Sequence, residues 1–173
     1  MSQRLFFALL PDAAAKSEIS SLQQQLPKDA LRIYQAENLH QTLVYLGEFA
    51  EADLMSLITA CQSIHLPPVE MQFEQVIFWP QTKVLCLLSQ AVPDELLALV
   101  QALNEIAGLF DVKLDQRPYR PHITLARKAS EAIAIDFAPL RFIADEFVLM
   151  QSKSTDNGPV YNPLFSWPLT PAA

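Results

Sequence analysis

His40-Gln41-Thr42-Leu43 and His122-Ile123-Thr124-Leu125 are the two stretches that decide how this chain of 173 residues is organised. They share the pattern His-x-Thr-Leu, and they hold two of the 3 histidines in the sequence. Apolar and β-branched residues surround both copies, which is typical of strands. The repeat therefore predicts two related strands, one in each half of the chain.

Each copy brings an imidazole and a hydroxyl to the same side of its strand. The two strands are predicted at residues 39–46 and 123–126, the second of them after a proline-bounded turn at residues 117–121. Because side chains alternate between the two faces of a strand, His and the Thr two positions later point the same way, and Leu packs behind them. Two such strands facing one groove supply two acid–base groups and two hydrogen-bond donors.

The rest of the chain is predicted to have a doubled α+β layout. Further strands are expected at residues 4–10, 31–35, 70–79, 83–89, 146–152 and 163–169. Helices are expected at residues 12–26, 50–65 and 93–108, with Asp12 as the N-cap of the first and Gly108 ending the third. No low-complexity linker separates the halves, so we expect a single domain over residues 1–173.

The charge of the chain argues against a protein that coats nucleic acid. The formal net charge is −7, whereas proteins that follow a phosphate backbone present a basic surface. Five of the 12 basic residues nevertheless flank the second motif: Lys113, Arg117, Arg120, Arg127 and Lys128. This clustering predicts a local anion pocket on an acidic body, suited to one terminal phosphate.

Composition and cysteine usage predict a cytoplasmic location. No apolar run is long enough to span a membrane, and the N-terminus lacks the features of a signal peptide. Cys61 and Cys86 are isolated, one in a helical pattern and one in an apolar strand, so we expect buried thiols in a reducing compartment.

The sequence disfavours a metal-dependent hydrolase. A zinc site would need a third ligand near the histidine pair, and the chain has no His-x-His, His-Glu-x-x-His or paired-cysteine pattern. His65, which precedes Leu66-Pro67-Pro68 with no motif around it, is interpreted as structural. We therefore expect no metal and no cofactor.

The two motifs and the segments around them resemble the two-histidine phosphoesterase superfamily, whose members carry two His-x-Thr/Ser motifs. The chain is most similar to the bacterial RNA 2′,3′-cyclic phosphodiesterases, also called 2′-5′ RNA ligases (LigT/ThpR-like). The segments that carry the likeness span nearly the whole chain: Arg4-Leu5-Phe6-Phe7-Ala8, residues 38–47, residues 117–127, and Tyr161-Asn162-Pro163-Leu164 with Trp167. The resemblance implies two pseudo-symmetric lobes of antiparallel sheet with outer helices around a central groove.

The resemblance also implies an activity and a role for each histidine. The expected reaction is metal-independent hydrolysis of RNA 2′,3′-cyclic phosphate ends to 2′-phosphomonoesters, on tRNA fragments or oligonucleotides. Its reverse is ATP-independent 2′-5′ RNA ligation. By resemblance, His122 is the base that acts on water and His40 is the acid that protonates the 3′ oxygen. The resemblance implies neither a protein partner nor a membrane.

Other residues are candidates for binding the substrate. Thr42 and Thr124 are expected to donate hydrogen bonds to phosphate oxygens. Arg127 would assist, but it follows His122 by five positions, so a β-bulge is needed to turn it toward the site. Arg120 is a further phosphate candidate. Tyr119 is the main candidate for stacking on a base, with Phe7 and Trp79 as others.

Two alternatives remain open from the sequence. The first is a two-histidine phosphoesterase that acts on another small cyclic phosphate or on 2′-5′ oligonucleotides. The second is a non-catalytic module that binds RNA ends. Such a module would tolerate loss of one histidine, and this chain keeps both.

Overall fold

Ten strands and three helices build the protein, whose computed structural model describes residues 1–171. The first half contains β1 (Ser2–Leu9), α1 (Ala13–Gln23), β2 (Arg32–Ile33), β3 (Gln41–Ala50), α2 (Leu54–Cys61), β4 (Val69–Phe73) and β5 (Gln75–Trp79). The second half contains β6 (Val84–Leu88), α3 (Asp94–Ala107), β7 (His122–Arg127), β8 (Leu140–Ala144), β9 (Glu146–Thr155) and β10 (Gly158–Pro168). Short 3₁₀ turns lie at Ala36–Asn38 and Glu51–Asp53.

The main sheet consists of two four-stranded halves that meet at the motif strands. One half has the order β10-β9-β1-β3, and the other contains β7, β6 and β5, with β2 paired to β7. Strands β3 and β7 are antiparallel neighbours joined at one residue pair, Gln41 and Ile123. The predicted α+β class with antiparallel strands is confirmed by this arrangement.

The core fills the space between the sheet and the helices. Helix α1 begins as predicted, because the Asp12 carboxylate accepts a hydrogen bond from the Ala15 N–H at 2.8 Å. Its buried Gln23 side chain donates to the backbone carbonyls of Tyr34 and Leu125, which ties α1 to strand β7. No helix within residues 1–171 is long and apolar enough to cross a membrane.

The structure corrects the strand that was predicted at residues 70–79. The segment breaks at Glu74 into β4, which pairs with β8 in a separate two-stranded sheet, and β5, which pairs with β6. At the break, the Glu74 N–H donates to the Leu88 carbonyl and one Glu74 carboxylate oxygen accepts from the Gln90 N–H. Strand β8 was not predicted, and α2 is shorter than the expected 50–65.

Candidate functional site: a two-histidine groove

Four motif side chains share one face of the sheet where β3 meets β7. The paired residues Gln41 and Ile123 are fully buried on the core side. Their neighbours His40, Thr42, His122 and Thr124 are half-buried and point to the opposite side. The antiparallel register around this pair places His40 across from Thr124 and His122 across from Thr42. The surface between these four side chains is called the groove below.

The His40 imidazole is held in one orientation by the backbone and two aromatic rings. Its Nδ1–H donates to the Asn38 carbonyl at 2.7 Å, and its Nε2 lies 3.1 Å from the Thr42 hydroxyl. The ring centroids of Phe6 and Tyr161 lie 4.9 and 4.8 Å from that of His40. Burial among these groups, with a smaller contribution from the positive charges of His122 and Arg127, lowers the pKa of His40 to about 4.

The His122 imidazole has a matching but more open environment. Its Nδ1–H donates to the Arg120 carbonyl at 2.8 Å, again two residues upstream. The Trp79 ring packs edge-on against it, with centroids 4.6 Å apart. Burial lowers the pKa of His122, an effect that the hydrogen bond to the carbonyl partly offsets.

Both imidazoles present Nε2 as the atom that can exchange protons. A carbonyl can only accept a hydrogen bond, so each Nδ1 carries its hydrogen and each neutral ring leaves the Nε2 lone pair free. When the His40 ring is neutral, the Thr42 hydroxyl therefore donates to its Nε2. Each Nε2 can therefore accept a proton when its ring is neutral and release one when its ring is protonated.

A β-bulge in each motif strand follows the Thr. In β7, Thr124 pairs with Cys86 and Ala126 pairs with Leu85, so Leu125 is the extra residue. Leu43 is the extra residue at the same motif position in β3. The bulge reverses the alternation of side chains, so Arg127 returns to the histidine face. The β-bulge that was predicted to be necessary for Arg127 to reach the groove is therefore present.

Arg127 contributes a positive charge on the His40 side of the groove. Its Nε–H donates to the Tyr34 hydroxyl at 2.8 Å, and its guanidinium lies over the Tyr34 ring, 5.6 Å from the centroid. Its charge is close enough to lower the pKa of His40. Arg127 therefore lies where it would attract an anion on the His40 side of the groove.

Arg120 and Trp79 lie together at the rim beside His122. The exposed Arg120 side chain places its guanidinium carbon 5.6 Å from the centre of the Trp79 ring. The arrangement leaves one charged group at the rim of the groove. Trp79 remains partly exposed and is available to contact a ligand.

The structure does not place the other two stacking candidates in the groove. The Tyr119 hydroxyl donates to the Thr42 carbonyl at 2.7 Å and accepts from the Gln41 side chain, so Tyr119 braces β3 from behind. Phe7 is fully buried against Phe147 and Trp167. The prediction that Phe7 stacks on a base is therefore wrong. Tyr119 instead supports strand β3 through its hydroxyl.

Sequence reasoning did not single out several residues that shape the site. Phe6, Tyr34, Asn38 and Tyr161 enclose or position His40. Asn38 precedes His40 by two positions, as Arg120 precedes His122, and both contact their histidine through the backbone carbonyl. A backbone contact leaves no preference for residue type, so no sequence signal marks it.

The described residues near the groove carry neither a metal-ligand cluster nor a cysteine thiolate. Within residues 1–171 no group of three His, Cys, Asp or Glu side chains is placed to hold a metal ion. The Cys86 Sγ lies beside Thr124 on the neighbouring strand β6, 3.9 Å from the Thr124 hydroxyl. Burial raises the pKa of Cys86 to about 12, so its thiol stays protonated at neutral pH.

Comparisons of this chain with a family model and with known proteins agree on one family. The model of the 2′-5′ RNA ligase superfamily matches residues 10–156. A protein of Escherichia coli (strain K12) named RNA 2′,3′-cyclic phosphodiesterase is 32% identical over 171 residues, which are 97% of each chain. One of the same name from Methanocaldococcus jannaschii is 27% identical over 95% of this chain and 99% of its own.

Solved structures match the fold over nearly the whole chain. Crystal structures of E. coli LigT in apo form and complexed with 3′-AMP both superpose with a TM-score of 0.88. Their identities to this chain are 32% and 31%, and both matches cover 98% of this chain. They cover 98% and 99% of the respective LigT chains. The similarity therefore extends over the whole two-part sheet.

Proposed function

Because the chain belongs to the 2′-5′ RNA ligase superfamily, we propose that its groove hydrolyses RNA 2′,3′-cyclic phosphate ends to 2′-phosphomonoesters. The reverse reaction would join a cyclic phosphate to a hydroxyl as an ATP-independent 2′-5′ RNA ligation. The observation that carries the proposal is the placement of two His-x-Thr motifs on antiparallel neighbouring strands, facing one groove. The names of the E. coli and M. jannaschii relatives support the same substrate class.

The two histidines would move one proton each. The His122 Nε2 accepts a proton from the attacking water as the water oxygen bonds to phosphorus. The bond between phosphorus and the ribose 3′ oxygen breaks, and the His40 Nε2–H gives its proton to that oxygen. The 2′-phosphomonoester remains on the ribose. No covalent enzyme intermediate is needed.

Hydrogen-bond donors would stabilise the negative charge that grows on the non-bridging oxygens. Thr124 is free to donate, because its hydroxyl has only a long contact to the Cys86 sulfur. Thr42 donates to the neutral His40 and becomes available to the substrate once the His40 Nε2 is protonated. Arg127 adds a positive charge on the same side, and Arg120 adds one at the rim.

The acid role of His40 requires the substrate itself. With a pKa of about 4, His40 is neutral at pH 7 without a bound anion. A bound phosphate places negative charge beside the imidazole and favours its protonated form. In this proposal, substrate binding therefore charges the acid that the reaction uses.

The proposal includes the RNA class and the cell compartment. The groove would accept the ends of tRNA fragments or oligonucleotides, because it offers Arg127 and Arg120 to a phosphate on a chain whose net charge is −7. The buried, unpaired Cys61 and Cys86 support the cytoplasmic location. We also propose that residues 1–173 act as a single domain of two lobes.

The test is a product assay. The purified protein is given an oligonucleotide ending in a 2′,3′-cyclic phosphate, and the product isomer is identified by chromatography against 2′- and 3′-phosphate standards. We expect only the 2′-phosphate. A 3′-phosphate product would contradict the proposed leaving group. Faster turnover of a 2′-5′ oligonucleotide or a small cyclic nucleotide would favour the alternative substrate class.

A further inference from the structure

A hydrogen-bond network of three side chains ends beside His40. The Arg127 Nε–H donates to the Tyr34 hydroxyl at 2.8 Å, and the Tyr34 and Tyr161 hydroxyl oxygens lie 3.3 Å apart. These residues come from β7, from the segment after β2, and from β10. This network thus links both halves of the sheet at the groove.

Tyr34 joins Arg127 to Tyr161. The residue is 5% exposed, its hydroxyl accepts from the Arg127 Nε–H, and the Tyr161 oxygen is the one acceptor for its hydrogen within residues 1–171. With Tyr34 donating to Tyr161, both the oxygen and the hydrogen of the Tyr34 hydroxyl have a partner. This direction leaves the hydrogen of the Tyr161 hydroxyl available to a ligand.

The Tyr161 side chain is rigid and lies next to the reacting groups. Its ring packs edge-on against His40, with centroids 4.8 Å apart, and against Phe6 at 5.3 Å. Its backbone N–H donates to the Asn38 side chain at 3.3 Å, which fixes β10 against the His40 loop. Burial raises the pKa of Tyr161, so the hydroxyl keeps its proton at neutral pH. The group is a preorganised neutral donor.

We propose that the Tyr161 hydroxyl donates a hydrogen bond to a phosphate oxygen of the substrate, on the His40 side of the groove. This inference rests on the proposed function and adds one donor to Thr42 and Thr124. Arg127 polarises the donor through Tyr34, because a hydroxyl that accepts from a cation becomes a stronger donor. Tyr161 is then a substrate-binding residue, and Tyr34 is a positioning residue.

The experiment compares Tyr161→Phe with wild type. This substitution keeps the ring against His40 and removes the hydroxyl alone. Titration calorimetry with adenosine 2′-monophosphate should show a Kd about 10-fold higher, the usual effect of losing a hydrogen bond to a charged group. Hydrolysis of the cyclic phosphate oligonucleotide should lose roughly 10- to 100-fold in kcat/KM.

Two controls separate direct contact from indirect effects. Tyr45→Phe removes a phenol hydroxyl from the exposed Tyr45 side chain and should leave Kd and kcat/KM unchanged. The His40 pKa, followed by NMR in the free protein, should be the same in Tyr161→Phe and wild type, because the ring that buries His40 remains. A moved pKa would show that Tyr161 acts through His40, which contradicts the proposal.

The outcomes also separate this inference from the proposed function. If Tyr161→Phe binds adenosine 2′-monophosphate as tightly as wild type, or if wild type does not bind it, the inference is overturned. If wild type shows no cyclic phosphodiesterase activity but the 10-fold difference in Kd is present, the proposed reaction fails and the phosphate contact stands.

Discussion

Phosphate binding should raise the pKa of His40 by about three units. The free protein holds that pKa at about 4, because the ring is buried between Phe6 and Tyr161. At pH 7, about one molecule in a thousand then carries a charged His40. Half-protonation at pH 7 requires a shift of about three units, or about 4 kcal/mol.

A single phosphate charge is large enough to supply this shift. Two unit charges about 4 Å apart interact by about 4 kcal/mol at the effective dielectric constant typical of protein sites. The sign is fixed, because an anion stabilises the charged imidazole and so moves the pKa upward. We therefore expect the His40 pKa to rise from about 4 in the free protein to near 7 with phosphate bound.

NMR titration of the imidazole signals can measure this directly, because the chain has only 3 histidines. The titration is run with and without saturating adenosine 2′-monophosphate, and His40→Asn assigns the signal. A free-protein pKa near 6.5 would refute the burial argument. A pKa that stays near 4 in the complex would refute the acid role of His40 and would favour exchanging the roles of His40 and His122.

Other outcomes test the donors, the metal independence, the histidine roles and the cost of burying His40. Thr42→Val and Thr124→Val should each lower kcat/KM by roughly 100-fold, the effect of losing one preorganised donor; wild-type rates in both variants would rule out this role. Hydrolysis should persist in excess EDTA, and activity that is lost there and restored by a divalent cation would contradict the two-imidazole mechanism. His40→Ala and His122→Ala should each remove most turnover, and a substrate with a better leaving group at the 3′ position should partly rescue only His40→Ala. The unfolded chain protonates His40 near pH 6.5 and the native protein only near pH 4, so the unfolded state binds more protons between these values. The free energy of unfolding should therefore fall by about 3 kcal/mol more in wild type than in His40→Asn from pH 6.5 to 4, and equal denaturation curves would exclude this linkage.

Local alternation explains why the motif geometry could be predicted. His40 and Thr42 share a face because they are two residues apart in a strand, and the same holds for His122 and Thr124. This relation needs no partner from elsewhere in the chain. The Asp12 cap was predictable for the same reason, since its carboxylate bonds an N–H three residues away.

Strand partners could not be predicted from local pattern alone. Residues 70–79 are apolar and β-branched enough for one strand, yet Glu74 separates two strands that belong to different sheets. Phe7 and Tyr119 looked like candidates for stacking, but strand pairing and packing put Phe7 in the core and the Tyr119 hydroxyl under Thr42. The sequence around an aromatic residue does not indicate which face of a sheet other elements will cover.

The sequence by itself determined that the protein carries two imidazoles and two hydroxyls in matched frames, because the period of a strand is a property of the backbone. Tertiary structure decided how those groups behave. The bulge at Leu125 returns Arg127 to the histidine face, and β1 and β10 bring Phe6 and Tyr161 against His40. A proton affinity depends on burial and nearby charge, and both come from residues that are distant in the chain and meet only when the sheet is assembled.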